Sequence, residues 1–244
     1  MKKTLITLLA MATSAMGADW SLSDAVLTVD TPTDSVSLTS TGIEDGTFTV
    51  AAQLNADFFD AVSIGQPLLS KSSFFSVTDA TNTGWHIGAA VGTSTANGTI
   101  TKSGLYTTSK AADTFAADAN GWLSIGQNDC LTSSVTRGVD SAALTMTYDA
   151  STFTVSLYLT LAYLDREAVT ITGSNTGFKW NEKTLSTLGS LEMNTDSIEK
   201  IYVFAGAATA EQAAAMNAAL VPEPTTATLS LLALAGLAAR RRRR

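Results

Sequence analysis

Residues 152–164, "TFTVSLYLTLAYL", alternate so regularly that they dictate local conformation. Phe153, Val155, Leu157, Leu159, Leu161 and Tyr163 fall on one face, and Thr152, Thr154, Ser156, Tyr158 and Thr160 on the other. A period of two is the repeat of a strand with one buried face. The preceding "ALTMTYD" repeats the pattern with Leu144, Met146 and Tyr148, and Asp149-Ala150-Ser151 supplies turn residues, so the two runs predict a hairpin.

The rest of the middle reads the same way. "GTFTVAAQL" is a half-buried strand with Phe48, Val50, Ala52 and Leu54 inward, after the Glu44-Asp45-Gly46 turn. "GWHIGAAVG", "GTITKSG", "GWLSIGQ", "AVTITG" and "EKIYVF" add strands, with Asn97-Gly98 as a turn. Thr209 and Gln212 form a capping box ahead of the alanine-rich "AEQAAAMNAAL", which predicts a short helix near 209–219. Many short strands with turn signals between them imply an all-β, two-sheet antiparallel β-sandwich or jelly roll closed by that helix. Without repeats or a low-complexity linker, residues 18–220 read as one domain between two terminal signals at 1–17 and 221–244.

The net charge of −7 conceals an acidic body. Lys2, Lys3 and Arg240 to Arg244 lie at the extremes, leaving eight Lys and Arg against 21 Asp and Glu between Ala18 and Val221, a net of −13. Such a surface repels phosphate backbones and argues against nucleic acid and against sulfated or phosphorylated ligands. The start, "MKKTLITLLAMATSAMGADW", places two lysines before an apolar run from Leu5 to Ala12 that is too short to stay in a bilayer. Ala15-Met16-Gly17 follows as a small-x-small site, so the chain is expected to be exported and cut between Gly17 and Ala18. Cys130 is the single cysteine, cannot form an internal disulfide and reads as a small buried hydrophobe.

At the other end, the 15-residue, mostly apolar segment from Thr225 to Ala239 would make a helix of roughly 22 Å against a hydrocarbon core of roughly 30 Å. Snorkelling arginines could close the deficit. The cluster Arg240, Arg241, Arg242, Arg243 and Arg244 should stay cytoplasmic and stop transfer with the body outside. Pro222 and Pro224 keep the chain extended ahead of that segment. Val221-Pro222-Glu223-Pro224, a short apolar helix and a terminal arginine cluster together resemble the PEP-CTERM sorting signal of Gram-negative bacteria. The resemblance implies recognition by an exosortase at the outer face of the inner membrane, in a producer of exopolysaccharide. The chain would be anchored in that membrane first, and reach the cell surface or the extracellular matrix after processing.

The order "FTVAAQL…QPLLSK…GWHIGAAVG", then "LTMTYDASTFTVSLYL", then "IEKIYVFAGAATAEQAAAMNAAL" resembles bacterial laminin-G-like, concanavalin A-like lectin/glucanase domains from about Phe48 to Leu220. "TLAYLDRE" departs from the Asn-Gly turn usual in that family. The resemblance implies a sandwich holding calcium or sugar at a sheet rim through oxygen ligands. Asn128-Asp129 is the rim pair it points to, although turn chemistry accounts for these residues equally. Trp85, Trp122 and Trp180 are the candidates to stack on sugar rings, against an ordinary role as core anchors.

Catalysis finds little support in the sequence. Glucanases of this fold set carboxylates at alternate positions of one strand, and no Glu-x-Asp-x-Glu run exists. Asp165 and Glu167 flank Arg166 in a stretch expected to be a solvated, salt-linked turn, and Asp196 and Glu199 near a strand start are as ordinary. Nucleophile-elbow, phosphate-loop and zinc spacings are absent, and His86 is the sole histidine. The expectation is therefore an exported, non-catalytic protein binding carbohydrate or exopolysaccharide. Its alternatives are a purely structural surface protein and, more remotely, a glycoside hydrolase.

Overall fold

A computed structural model describes residues 20–59, 72–81, 86–96, 99–109, 122–124, 131, 133–176 and 187–221. Within them run β1 (Leu27–Val29), β2 (Ser35–Ser37), β3 (Phe48–Leu54), β4 (Ser72–Asp79), β5 (His86–Ala96) and β6 (Thr99–Ser109). They continue with β7 (Trp122–Ser124), β8 (Ser141–Asp149), β9 (Thr154–Ala162), β10 (Val169–Thr176), β11 (Leu188–Met193) and β12 (Ile198–Ala205). A helix, Ala210–Leu220, follows the last strand, and a short one, Ser133–Thr136, precedes β8. The strands make two six-stranded sheets, here called sheet A (β1-β12-β3-β8-β9-β10) and sheet B (β2-β11-β4-β5-β6-β7). Every pairing is antiparallel, and the two sheets stack as a sandwich.

The core between the sheets is built by alternation. Phe48, Val50, Ala52 and Leu54 of β3, Leu144, Met146 and Tyr148 of β8, and Val155, Leu157, Leu159 and Leu161 of β9 all belong to it. Sheet B answers with Phe75 and Val77 of β4, Ile87, Ala89 and Val91 of β5, and Leu188, Leu191 and Met193 of β11. Phe48 and Tyr148 face each other in the β3–β8 register with ring centroids 5.7 Å apart. The expected hairpin is present, with Leu144 opposite Leu159 and Met146 opposite Leu157.

Its turn is a local device. Asp149 Oδ1 accepts from the Ser151 N–H at 2.8 Å and the Ser151 hydroxyl at 2.6 Å, while Oδ2 accepts from the Thr152 hydroxyl at 2.9 Å. These bonds satisfy backbone and hydroxyl donors at the tight end of the hairpin. Phe153 closes the turn at φ 55°, the left-handed region, which a non-glycine residue occupies at a cost. Partial burial pushes the Asp149 carboxyl up, but the bonds from Ser151 and Thr152 outweigh it and leave the carboxyl below its ordinary value.

One expectation needs correcting. β3 and β8 are not half-buried: both faces of each are covered, and residues 142–148 of β8 are buried without exception. The cause is the C-terminal helix, which lies on the outer face of sheet A over β3, β8 and β9. Ala51 and Ala143, on that outer face, are small enough to let it approach, and they form a second core with Tyr202, Phe204, Ala208, Met216, Leu220 and Val221. The N-terminal residues Trp20, Leu22 and Ala25 pack against the same cluster, with Trp20 stacked on Phe204 at 5.5 Å. Gly206, beside that indole, takes φ 97°, a backbone conformation that favours glycine.

Helix and sheet are also joined by polar groups. Asn217, fully buried, accepts from the Thr145 hydroxyl at 2.7 Å and donates to the Tyr158 carbonyl at 2.8 Å and to the Thr160 hydroxyl at 3.1 Å. Thr49 holds the approach to the helix, donating to the Gly206 carbonyl and accepting from the Ala208 N–H, each at 2.9 Å. The helix begins with the expected capping box: Thr209 Oγ1 accepts from the Gln212 N–H at 3.2 Å and Gln212 Oε1 from the Thr209 N–H at 2.8 Å.

Candidate functional site

The helix and N-terminal segment occupy the outer face of sheet A. The outer face of sheet B differs in chemistry. β2, β11 and β4 present Ser35 and Ser37, Ser190 and Glu192, and Ser76 and Thr78 there, each exposed or half-exposed. The hydroxyls are linked across the strands: Thr78 Oγ1 lies 2.9 Å from Ser190 Oγ and accepts from the Ser190 N–H at 2.9 Å, and Ser76 donates to Glu192 Oε2 at 3.5 Å. Gly189 permits this closeness, since a Cβ there would stand 2.8 Å from Thr78 Oγ1 and 3.1 Å from the Ala80 nitrogen.

Register carries one of these rows across the whole sheet. Ser35 is opposite Glu192, Glu192 opposite Ser76, Ser76 opposite Gly88, Gly88 opposite Thr108, and Thr108 opposite Trp122. Trp122 therefore sits on the edge strand at the far end of a row that begins in hydroxyls and a carboxylate. The open part of the face is the β2–β11–β4 end, because Gly88 and Ala90 of β5 are buried.

The other residues singled out in the sequence are distributed as follows. Trp85, Trp180, Asn128, Asp129, Cys130 and Asn97-Gly98 lie outside the described residues, as do the cleavage pair Gly17 and Ala18, the motif residues Pro222, Glu223 and Pro224, the apolar segment 225–239 and Arg240 to Arg244. Among the described residues no helix is long and apolar enough to cross a membrane. Val221, first of the expected motif, is described: it caps the C-terminal helix, donates its N–H to the Asn217 carbonyl at 2.9 Å and is buried in the second core. Packing thus runs one residue into the expected motif.

The carboxylates are scattered. Asp165 and Glu167 lie on the exposed β9–β10 turn. Arg166 between them lies over the Tyr163 ring, 3.7 Å from its centroid, and donates to the Arg137 carbonyl at 2.8 Å. The Tyr163 hydroxyl donates to the Val135 carbonyl, so this turn is fastened to the chain around the short helix Ser133–Thr136. Burial pushes the Tyr163 hydroxyl pKa up, against the opposing effect of Arg166. Asp30 forms an ion pair with Lys200, which also lies over Tyr202. Among the described residues no three His, Cys, Asp or Glu side chains gather closely enough to hold a metal ion.

No family model matches the chain, and no curated protein does. Solved structures similar to it include the CBM40 module of a Ruminococcus gnavus IT-sialidase bound to α2,3-sialyllactose, at 12% identity and a TM-score of 0.40, covering 79% of this chain and 99% of the module. Peanut lectin with a nine-residue peptide follows at 12% identity and TM-score 0.32, covering 73% and 76%. A heptameric SAP-like pentraxin from Limulus polyphemus stands at 10% and 0.28, covering 69% and 68%. All three scores are below one half, so the architecture described above rests on the chain's own strand pairing.

Proposed function

We propose that the chain is an exported, non-catalytic surface protein that binds carbohydrate, the exopolysaccharide of its own matrix in the first instance, through the outer face of sheet B. The observation that carries the reading is the row Ser35, Glu192 and Ser76 on the open β2–β11–β4 end of that face, whose register continues to Trp122 on the far edge strand. Hydroxyls and a carboxylate repeated across strands about 4.8 Å apart offer donors and acceptors at intervals suited to an extended polymer of hydroxyl groups. Trp122 is the aromatic member of the row, and Trp85 and Trp180 stay candidates beside it. Asn128 and Asp129 are the candidate oxygen ligands should calcium take part. Export, inner-membrane anchoring and exosortase processing at Val221-Pro222-Glu223-Pro224 belong to the same proposal and rest on the terminal sequences alone.

A glycan array probed with the exported protein, with and without calcium, tests the binding. Retention of neutral polysaccharides, reduced by Glu192→Gln and Ser76→Ala, is the expected result; an empty array under both conditions would remove the reading. A second reading, a structural surface protein without a ligand, is favoured by one observation: the polar groups of the open part of that face are already bonded to one another, Thr78 to Ser190 and Ser76 to Glu192. It is the reading that an empty array would leave standing.

A further inference from the structure

Each sheet has two edges, and the four edge strands are unequal. β1, β2 and β7 are three residues each, whereas β10 is eight, Val169–Thr176. Short edges and charged edges are the usual means of preventing sheets from joining through their unpaired N–H and C=O groups. β1 has both, ending beside Asp30 in its ion pair with Lys200, and Asp34 immediately precedes β2. β10 has neither: "VTITGSNT" contains no charge and no proline. It pairs with β9 at all eight positions without a break in register, and among the described residues no strand lies on its other side. Ile171, buried in the core, fixes which way the strand faces, and leaves Thr170, Thr172, Ser174 and Thr176 exposed.

We propose that the β10 edge is a self-association surface, through which two copies pair antiparallel along Val169–Asn175, centred on Thr172, and join their sheets A into one continuous sheet. Length selects this occupant: of the four edges described, only β10 itself offers eight residues to pair with β10. Charge selects it as well. In a body with eight cationic and 21 acidic side chains, two copies repel one another over most orientations, and an uncharged edge is where they can approach. With the strands paired about Thr172, the two Glu167 side chains stand at opposite ends of the ladder, roughly 34 Å apart at about 3.4 Å per residue. Thr172 of each copy meets the other near the two-fold axis, as a closed, isologous contact requires.

Sedimentation velocity of the full chain in detergent tests the proposal. A single strand ladder is a small contact, so the wild type should be monomeric near 1 μM and dimeric at roughly 100 μM. Thr172→Lys and Thr172→Glu each set like charges face to face at the axis and should weaken the dimer roughly tenfold or more, with unchanged thermal melting because Thr172 is exposed. An equimolar mixture of the two variants should restore it. A wild type monomeric throughout, a dimer indifferent to either charge, or a mixture that stays monomeric would each overturn the proposal. The second of these outcomes would assign association to another part of the chain.

Discussion

The two outer faces of this sandwich are made by the same strand repeat and end in opposite conditions. On sheet A, the positions that alternate with the core are Ala51, Ala143 and Thr145, all fully buried under a helix. On sheet B, the equivalent positions of β4 and β11 are Ser76, Thr78, Ser190 and Glu192, open to solvent or half so. Alternation alone therefore says which residues meet the other sheet and nothing about what lies on the far side. Side-chain size is the distinguishing mark: alanines seat a helix, whereas serines, threonines and a glutamate make a face that remains well solvated without a cover.

The sharpest way to break this comparison is to place the same charge on both faces. Ala51→Asp would bury an unpaired carboxylate beneath the helix and should cost more than about 4 kcal/mol, enough to unfold a domain of ordinary stability. Ser76→Asp, at the half-exposed position on sheet B, sets a carboxylate opposite Glu192 but in solvent, and should cost about 1 kcal/mol or less. Urea denaturation of both variants decides the matter, and equal losses would mean that the faces are not different in kind. Next in size is Asn217→Ala. It removes three hydrogen bonds and strands the Thr145 hydroxyl, and should cost about 2–3 kcal/mol by the same measurement. It should also expose the helix to proteolysis while β3 and β8 stay protected from hydrogen exchange.

The smallest effect expected concerns the β8–β9 turn, which belongs to neither outer face. The folded protein holds Asp149 below the ordinary value of 3.8, so its contribution is present above that value and lost as the pH falls through the lower, folded one. Thermal melts between pH 5 and pH 2 should show a decline that Asp149→Asn makes shallower; parallel declines would show that other carboxylates govern acid unfolding.

What could be read from the sequence was local. The β8–β9 hairpin and the Thr209–Gln212 box depend on residues within a few positions of one another, and both are present. The double burial of β3 and β8 was missed because its cause lies more than sixty residues away, in a helix whose pattern does not name its seat. Ala51 and Ala143 were the available signal, as was Asn217, a polar residue with no business in an alanine-rich helix unless something buried answers it. The hydroxyl row of sheet B was hidden for another reason: Ser35, Ser76 and Glu192 become neighbours only through register between distant strands. The Asp165–Arg166–Glu167 turn is exposed, as its charges suggest, but nothing local shows that Arg166 also lies over Tyr163 and donates to carbonyls of a separate segment.

Trp20 and Val221 pack against one cluster on one side of the sandwich, so both ends of the body leave from a common patch. A protein tethered by its tail in a flowing matrix would take its load at Val221, and the load would reach the helix before any strand. The helix is fastened to sheet A by apolar contacts and by the bonds of Asn217, which can be undone one after another, whereas the strand ladders beneath would have to yield together. Pulling would therefore peel the helix as a mechanical fuse, lengthening the tether by about 16 Å of former helix and more once it extends, while the strand ladders of both sheets kept their shape.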